Sequence, residues 1–206
     1  MAGRRTLRLF VACAMPEAVK RGLASIQDDM RRQGAPRLRY VRPEGIHITL
    51  KFLGDVQQHR VEAIAAALER AIEPFELRLT IERLGGFAPA SLRAGSGAGL
   101  RVVWAALAGD LAQLAALAER VECALVPLGF PREKRLFAPH ITLARVPDEV
   151  SVEDRLWLAA LVESYQLPAL PPMILSEVLL IRSILGPGGS VYEHLGFFPA
   201  DPGEST

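Results

Sequence analysis

His47-Ile48-Thr49-Leu50 and His140-Ile141-Thr142-Leu143 are the same tetrapeptide, 93 residues apart, in a chain that holds four histidines and five threonines. Two chance occurrences of His-x-Thr among so few residues have odds of roughly 0.3%, so the duplication carries information. An imidazole near neutral pH can take a proton or give one, and two on one cleft can do both in a single turnover. In a strand, residues i and i+2 share a face. His47 with Thr49, and His140 with Thr142, then point one way, while Ile48, Leu50, Ile141 and Leu143 point into the core. Packed pseudosymmetrically, the two copies would set two imidazoles and two hydroxyls around a phosphate, whose non-bridging oxygens the hydroxyls could bond. Such a set can move a proton onto one ester oxygen and off a nucleophile at phosphorus. No metal site is expected. Each His-x-Thr offers one ligand, and no Cys, Asp or Glu stands at a zinc-binding spacing.

The elements that must position these residues alternate between strand and helix. Residues 7–14 form an apolar run bounded by Pro16, which reads as a buried strand. Val19, Leu23, Ile26 and Met30 recur at helical spacing across 16–32, with Pro16 in the first turn. A short strand at 37–41 and a bulky, β-branched strand at 46–53 follow. Helix 57–72 presents Val61, Ile64, Ala65 and Leu68 on one face, and 76–84 alternates as a half-exposed strand broken by Gly85-Gly86. After a Gly/Ser/Ala-rich stretch at 91–99 come a strand at 101–106, a helix at 110–125 and a strand at 137–146. The chain ends in a helix at 152–162 capped by Ser151, a strand at 174–184, a turn at 186–190 and a frayed tail from 199. The second half loosely echoes the first, and the mixed polarity of the strands favours an α+β sandwich.

Composition narrows the function classes. Half of the 206 residues are hydrophobic, enough for a large core, and the net charge of +1 excludes retention on nucleic acid by bulk electrostatics alone. Of the 24 basic residues 21 are arginine, a bias that either serves bidentate phosphate contacts or simply reflects a GC-rich genome. Cys13 and Cys123 lie in apolar stretches with no CxxC, so buried, reduced thiols in a cytoplasmic protein are expected. The apolar run at 9–15 is too short and wrongly flanked for a secretory signal, and no stretch approaches the ~20 residues of a membrane helix. Neither GxxxxGK[ST] nor GxGxxG occurs, so no nucleotide cofactor and no ATP requirement are expected.

The chain resembles the two-histidine phosphoesterase superfamily, and within it the bacterial RNA 2′,3′-cyclic phosphodiesterases first described as 2′-5′ RNA ligases. The residues that carry the resemblance are the first strand at 8–12, the segment 43–54 around the first tetrapeptide, 101–105, and the segment 137–145 around the second. Ser183, Gly188-Gly189, Tyr192 and Phe197-Phe198-Pro199 also fit. Gly45 stands where Asn or Asp-like residues are common.

The resemblance implies one bilobal, pseudosymmetric α+β domain over 1–206, with halves of roughly 1–90 and 100–198, mainly antiparallel sheets lining a central cleft, and helices outside. It implies metal-independent hydrolysis of a 2′,3′-cyclic phosphate to a 2′-phosphate without a cofactor. The partner is an RNA or nucleotide with a cyclic phosphate end, the protein a monomer with no obligate protein partner. His47 would protonate the departing 3′ oxygen, His140 would activate water, and Thr49 and Thr142 would hold phosphate oxygens. Arg145 would add charge as the pentacoordinate state forms.

Several residues keep two readings. Lys51, by strand parity on the face of His47 and Thr49, either contacts phosphate or is a strand-end charge. Phe10 and Tyr192 either stack a base or pack. Arg37, Arg39 and Arg42 either line an RNA approach or form a solvated strand and loop. His59 is expected on a solvated helix start and His194 in a structural role. Two other activities fit the same residues: ATP-independent 2′,5′ ligation or 2′,5′-phosphodiester cleavage, and non-catalytic gripping of RNA phosphate ends.

Overall fold

A computed structural model of the chain describes residues 5–35, 37–87, 100–186 and 189–199. The Gly/Ser/Ala-rich stretch at 91–99, part of the turn at 186–190 and the tail beyond 199 lie outside these residues. The strands are β1 (Thr6–Cys13), β2 (Arg39–Tyr40), β3 (Ile48–Gln57), β4 (Leu77–Phe87), β5 (Val102–Gly109), β6 (His140–Arg145), β7 (Met173–Leu175), β8 (Val178–Gly186) and β9 (Gly189–Phe198). The helices are α1 (Glu17–Arg32), α2 (Val61–Ala71), α3 (Leu111–Leu125) and α4 (Val152–Ser164). Among the described residues the strands form one antiparallel, open sheet in the order β7-β4-β5-β6-β3-β1-β8-β9, with β2 added to β6.

The sheet has an internal symmetry centred on the two tetrapeptides. β3 and β6 meet at a single registered pair, Ile48 with Ile141. Outward from it run β3-β1-β8-β9 on one side and β6-β5-β4-β7 on the other. The two sides of the sheet are not assembled in chain order. β4 joins the second tetrapeptide's side as the neighbour of β5, whereas the C-terminal β8 and β9 return to β1 on the first tetrapeptide's side.

All four helices bury their apolar stripes in one core. Val19, Leu23, Ile26 and Met30 of α1, Ile64 and Leu68 of α2, Leu117 and Val121 of α3, and Leu158 of α4 join Leu7, Leu9, Val11 and Cys13 of β1 in a single cluster. The alternate residues of β1, Phe10 and Ala12, pack on the opposite face with Leu179 and Ile181 of β8. Helices cover one face of the sheet, and the other is left to form a site. Ser151 caps α4 as expected, its hydroxyl accepting the Asp154 N–H at 3.1 Å.

Three expectations are corrected. β4 continues through Gly85 and Gly86 to Phe87, paired with β5. A Cβ on Gly85 would lie 2.6 Å from the Trp104 ring, so the glycine here admits a cross-strand aromatic rather than breaking the strand. The 174–184 strand is two strands, β7 on the far edge of the sheet and β8 beside β1. Cys123 is exposed, its thiol donating to Glu119, while Cys13 is buried and its pKa is pushed up to about 12 by desolvation. No helix among the described residues is long and apolar enough to cross a membrane.

Candidate active site

Both tetrapeptides carry the same irregularity. Along β3, Thr49 pairs with Ala12 and Lys51 with Val11, so Leu50 is an extra residue; along β6, Thr142 pairs with Trp104 and Ala144 with Val103, so Leu143 is extra. An inserted residue reverses the strand's parity beyond it. Leu50 and Lys51 both face the core, and Phe52 turns back to the open face, 68% exposed. Leu143 and Ala144 are likewise buried, and Arg145 emerges. Phe52 and Arg145 thus hold equivalent places, each five residues after its histidine.

This bulge settles the position of two candidates. Strict alternation puts Lys51 in the cleft, but Lys51 is 6% exposed and its ammonium donates to Glu122 of α3 and, at 2.8 Å, to the carbonyl of Pro131. Lys51 is a core ion pair, not a phosphate contact. Strict alternation would also bury Arg145, which instead reaches the cleft. Gln27 of α1 holds the second bulge: its amide donates to the Leu143 carbonyl at 2.9 Å and to that of Val41 at 2.8 Å. Neither Gln27 nor Phe52 is visible as functional from spacing alone, because both depend on where the bulge falls.

The cleft that results has a volume of about 390 Å³, and His47, Thr49, His140, Thr142 and Arg145 all line it. Phe10, Phe52 and Tyr192 complete the β1/β3/β9 wall, and Arg8 of β1 brings a second guanidinium. Among the described residues, two arginines and no Asp or Glu line this space, which suits an anion. His59 lies in an exposed turn, and His194 is exposed and edge-on to Phe197, with ring centres 5.6 Å apart. Neither enters the cleft.

Both catalytic candidates are held alike. Nδ1–H of His47 donates to the carbonyl of Gly45 at 2.7 Å, and Nδ1–H of His140 to that of Ala138 at 2.9 Å. Each carbonyl lies two residues upstream, and each bond fixes the tautomer that leaves Nε2 to exchange a proton. Thr49 donates its hydroxyl to His47 Nε2 at 3.1 Å. Aromatic rings hold the imidazoles in place. Phe10, 2% exposed, lies 4.7 Å from the His47 ring, Tyr192 meets it edge-on at 5.4 Å, and Trp104 stands 6.3 Å from His140. Phe10 therefore supports His47 more than it offers a stacking surface. Gly45 is required where it stands, since a Cβ there would come 2.8 Å from the Tyr192 ring.

Burial governs the charge state of His47. Burial pushes His47 down from its ordinary 6.5 to about 4; the Gly45 carbonyl opposes this and the charge of nearby His140 adds to it. Between those two values the unfolded chain binds the proton and the folded protein does not, so stability falls as pH drops from 6.5 towards 4. At ~1.4 kcal/mol per pH unit the loss is about 3 kcal/mol. His47→Asn is expected to remove most of this acid sensitivity, read as the difference in urea-unfolding free energy between pH 7 and pH 4.5. An equal loss in both proteins would refute the assignment.

An open antiparallel sheet carrying two bulged His-x-Thr strands on its uncovered face defines a two-histidine phosphoesterase, and the chain belongs to the family described as LigT like Phosphoesterase, whose model matches residues 14–96 and 108–192. It is 31% identical over 93% of its length to the RNA 2′,3′-cyclic phosphodiesterase of Methanothermobacter thermautotrophicus, covering 98% of that protein. The Archaeoglobus fulgidus protein of the same name is also 31% identical, with 93% of this chain and 99% of that one aligned. In three dimensions the chain resembles E. coli LigT crystallised with 3′-AMP, with a TM-score of 0.69, 24% identity and coverage of 94% and 98%. It also resembles the TT0787 protein of Thermus thermophilus, with a TM-score of 0.64, 27% identity and coverage of 93% and 97%.

Proposed function

We propose that this protein hydrolyses RNA 2′,3′-cyclic phosphate ends to 2′-phosphomonoesters with paired imidazoles and no metal ion. The observation that carries the reading is the mirrored pair of Nδ1-anchored histidines on one cationic cleft. The names of the relatives agree with it. Water attacks phosphorus opposite O3′, giving its proton to Nε2 of His140. The P–O3′ bond breaks, and O3′ takes the proton carried on Nε2 of His47. The product is a 2′-phosphate with a free 3′-hydroxyl, and solvent resets both rings.

Each neighbouring group has a task in this scheme. Thr49 and Thr142 donate to the non-bridging oxygens, so the Thr49 hydroxyl leaves His47 Nε2 for phosphate as substrate enters. Arg145 neutralises charge that grows in the pentacoordinate state, where fixed cations act most strongly. Burial keeps His47 neutral in the free protein, and the anionic phosphate offsets that burial by favouring the imidazolium. Substrate binding thereby supplies the acid. Incubating the protein in EDTA with an oligoribonucleotide ending in a 2′,3′-cyclic phosphate, followed by phosphorus NMR, is expected to give the 2′-monophosphate alone. A requirement for added metal or ATP, joined RNA as the product, or binding without turnover would overturn the reading.

A further inference from the structure

A second depression, of about 550 Å³, opens beside the cleft and shares Val41, Gly45, Arg145, Leu185, Ser190 and Tyr192 with it. Its own contribution includes two cations, Arg39 and Arg42, beside Tyr40 and Gly186 and Gly189 of the β8–β9 hairpin. Among the described residues no Asp or Glu lines it. The unusual feature is the register of β2. Arg39 pairs directly with Arg145 in a ladder whose only other pair among the described residues is Tyr40 with Ala144. Like charges placed opposite each other across an antiparallel pair are destabilising. This pair sits at the junction of the two depressions, where an anion would relieve the repulsion.

We infer that this groove seats the RNA backbone upstream of the terminal cyclic phosphate, with the next phosphodiester between Arg39 and Arg145 and the following one towards Arg42. Arginine suits this place because its planar guanidinium bonds phosphate bidentately without reading a base. The opposite wall of the cleft bears Phe52 at the place equivalent to Arg145, so the two sides differ at that position: an aromatic ring on one, a guanidinium on the other. A substrate with two or more nucleotides gains contacts that a nucleoside cyclic phosphate cannot make. Arg37 does not line this groove.

This inference rests on the cleft being the phosphodiesterase site, and its test separates the two. kcat/KM is measured for a nucleoside 2′,3′-cyclic phosphate and for a tetraribonucleotide with the same end, in the wild type and in the Arg39→Gln/Arg42→Gln protein. Wild-type preference for the tetramer is expected, together with a roughly 10- to 100-fold loss in the variant for the tetramer only. Binding of a 3′-phosphorylated tetramer, followed by fluorescence anisotropy against salt, reads the groove without turnover. Its log–log slope should flatten by about 0.7 for each phosphate contact removed. Equal loss on both substrates, or no loss on the tetramer with an unchanged slope, overturns the groove. An inactive wild type with an intact, variant-sensitive slope overturns the phosphodiesterase reading and leaves the groove standing.

Discussion

His140→Ala is expected to lower kcat on a 2′,3′-cyclic phosphate by about 10²–10⁴-fold, and His47→Ala by a similar factor, the range typical of a lost general acid or base. Geometry is the first reason. In each ring Nδ1 is committed to a backbone carbonyl two residues upstream, so Nε2 is the single nitrogen able to exchange a proton with substrate. Alanine removes that nitrogen and leaves the strand's backbone pairs in place. The two variants should differ in their pH profiles. Without His47 the activity that remains no longer declines as pH rises, because the group that had to be protonated is gone. Without His140 that decline at high pH is retained, because His47 is still present. The double variant should lose little beyond the worse single one, since the two rings act as a unit. Wild-type turnover in either single variant would remove that ring from the chemistry, and exchanged limbs would swap donor and acceptor.

The second large effect concerns stability. Lys51→Met is expected to lower unfolding stability by about 3–5 kcal/mol, because the Glu122 carboxylate stays behind without its cation. For a chain of this length that is roughly 6–20 °C in Tm. Glu122 also accepts the Glu133 N–H at 3.3 Å, so the loop after Phe130 loses an anchor when the ion pair opens. Replacing both partners, Lys51→Met with Glu122→Leu, should recover much of the loss, because no buried charge is then left alone. Below its melting temperature the double variant should keep wild-type KM. A Lys51→Met protein with unchanged Tm and a raised KM would return this lysine to the cleft.

The duplicated His-Ile-Thr-Leu, the helices with their apolar faces and the α+β class were all legible in the residues. Each is a short-range pattern: period two in the strands, about 3.6 in the helices, and a tetrapeptide repeated where coincidence is rare. Residues 46–53 read correctly as strand for the same reason, their β-branched and bulky side chains. The membership of the two halves was not legible. β4 and β8 choose their neighbours by long-range pairing, and chain order carries no record of that choice. β9 was missed because its alternation is interrupted at Leu195, an extra residue between the pairs His194–Ile181 and Gly196–Leu180.

The residues by themselves supplied the groups that meet in the cleft: two imidazoles, two hydroxyls and an arginine, in two strands. Tertiary structure alone decided which later residues join them. One extra residue in each tetrapeptide, Leu50 and Leu143, sends Lys51 to Glu122 in the core and brings Phe52 and Arg145 to the cleft. A bulge is an agreement between two strands about pairing, held here by β1 on one side and by β5 and Gln27 on the other. It has no signature in either strand read singly.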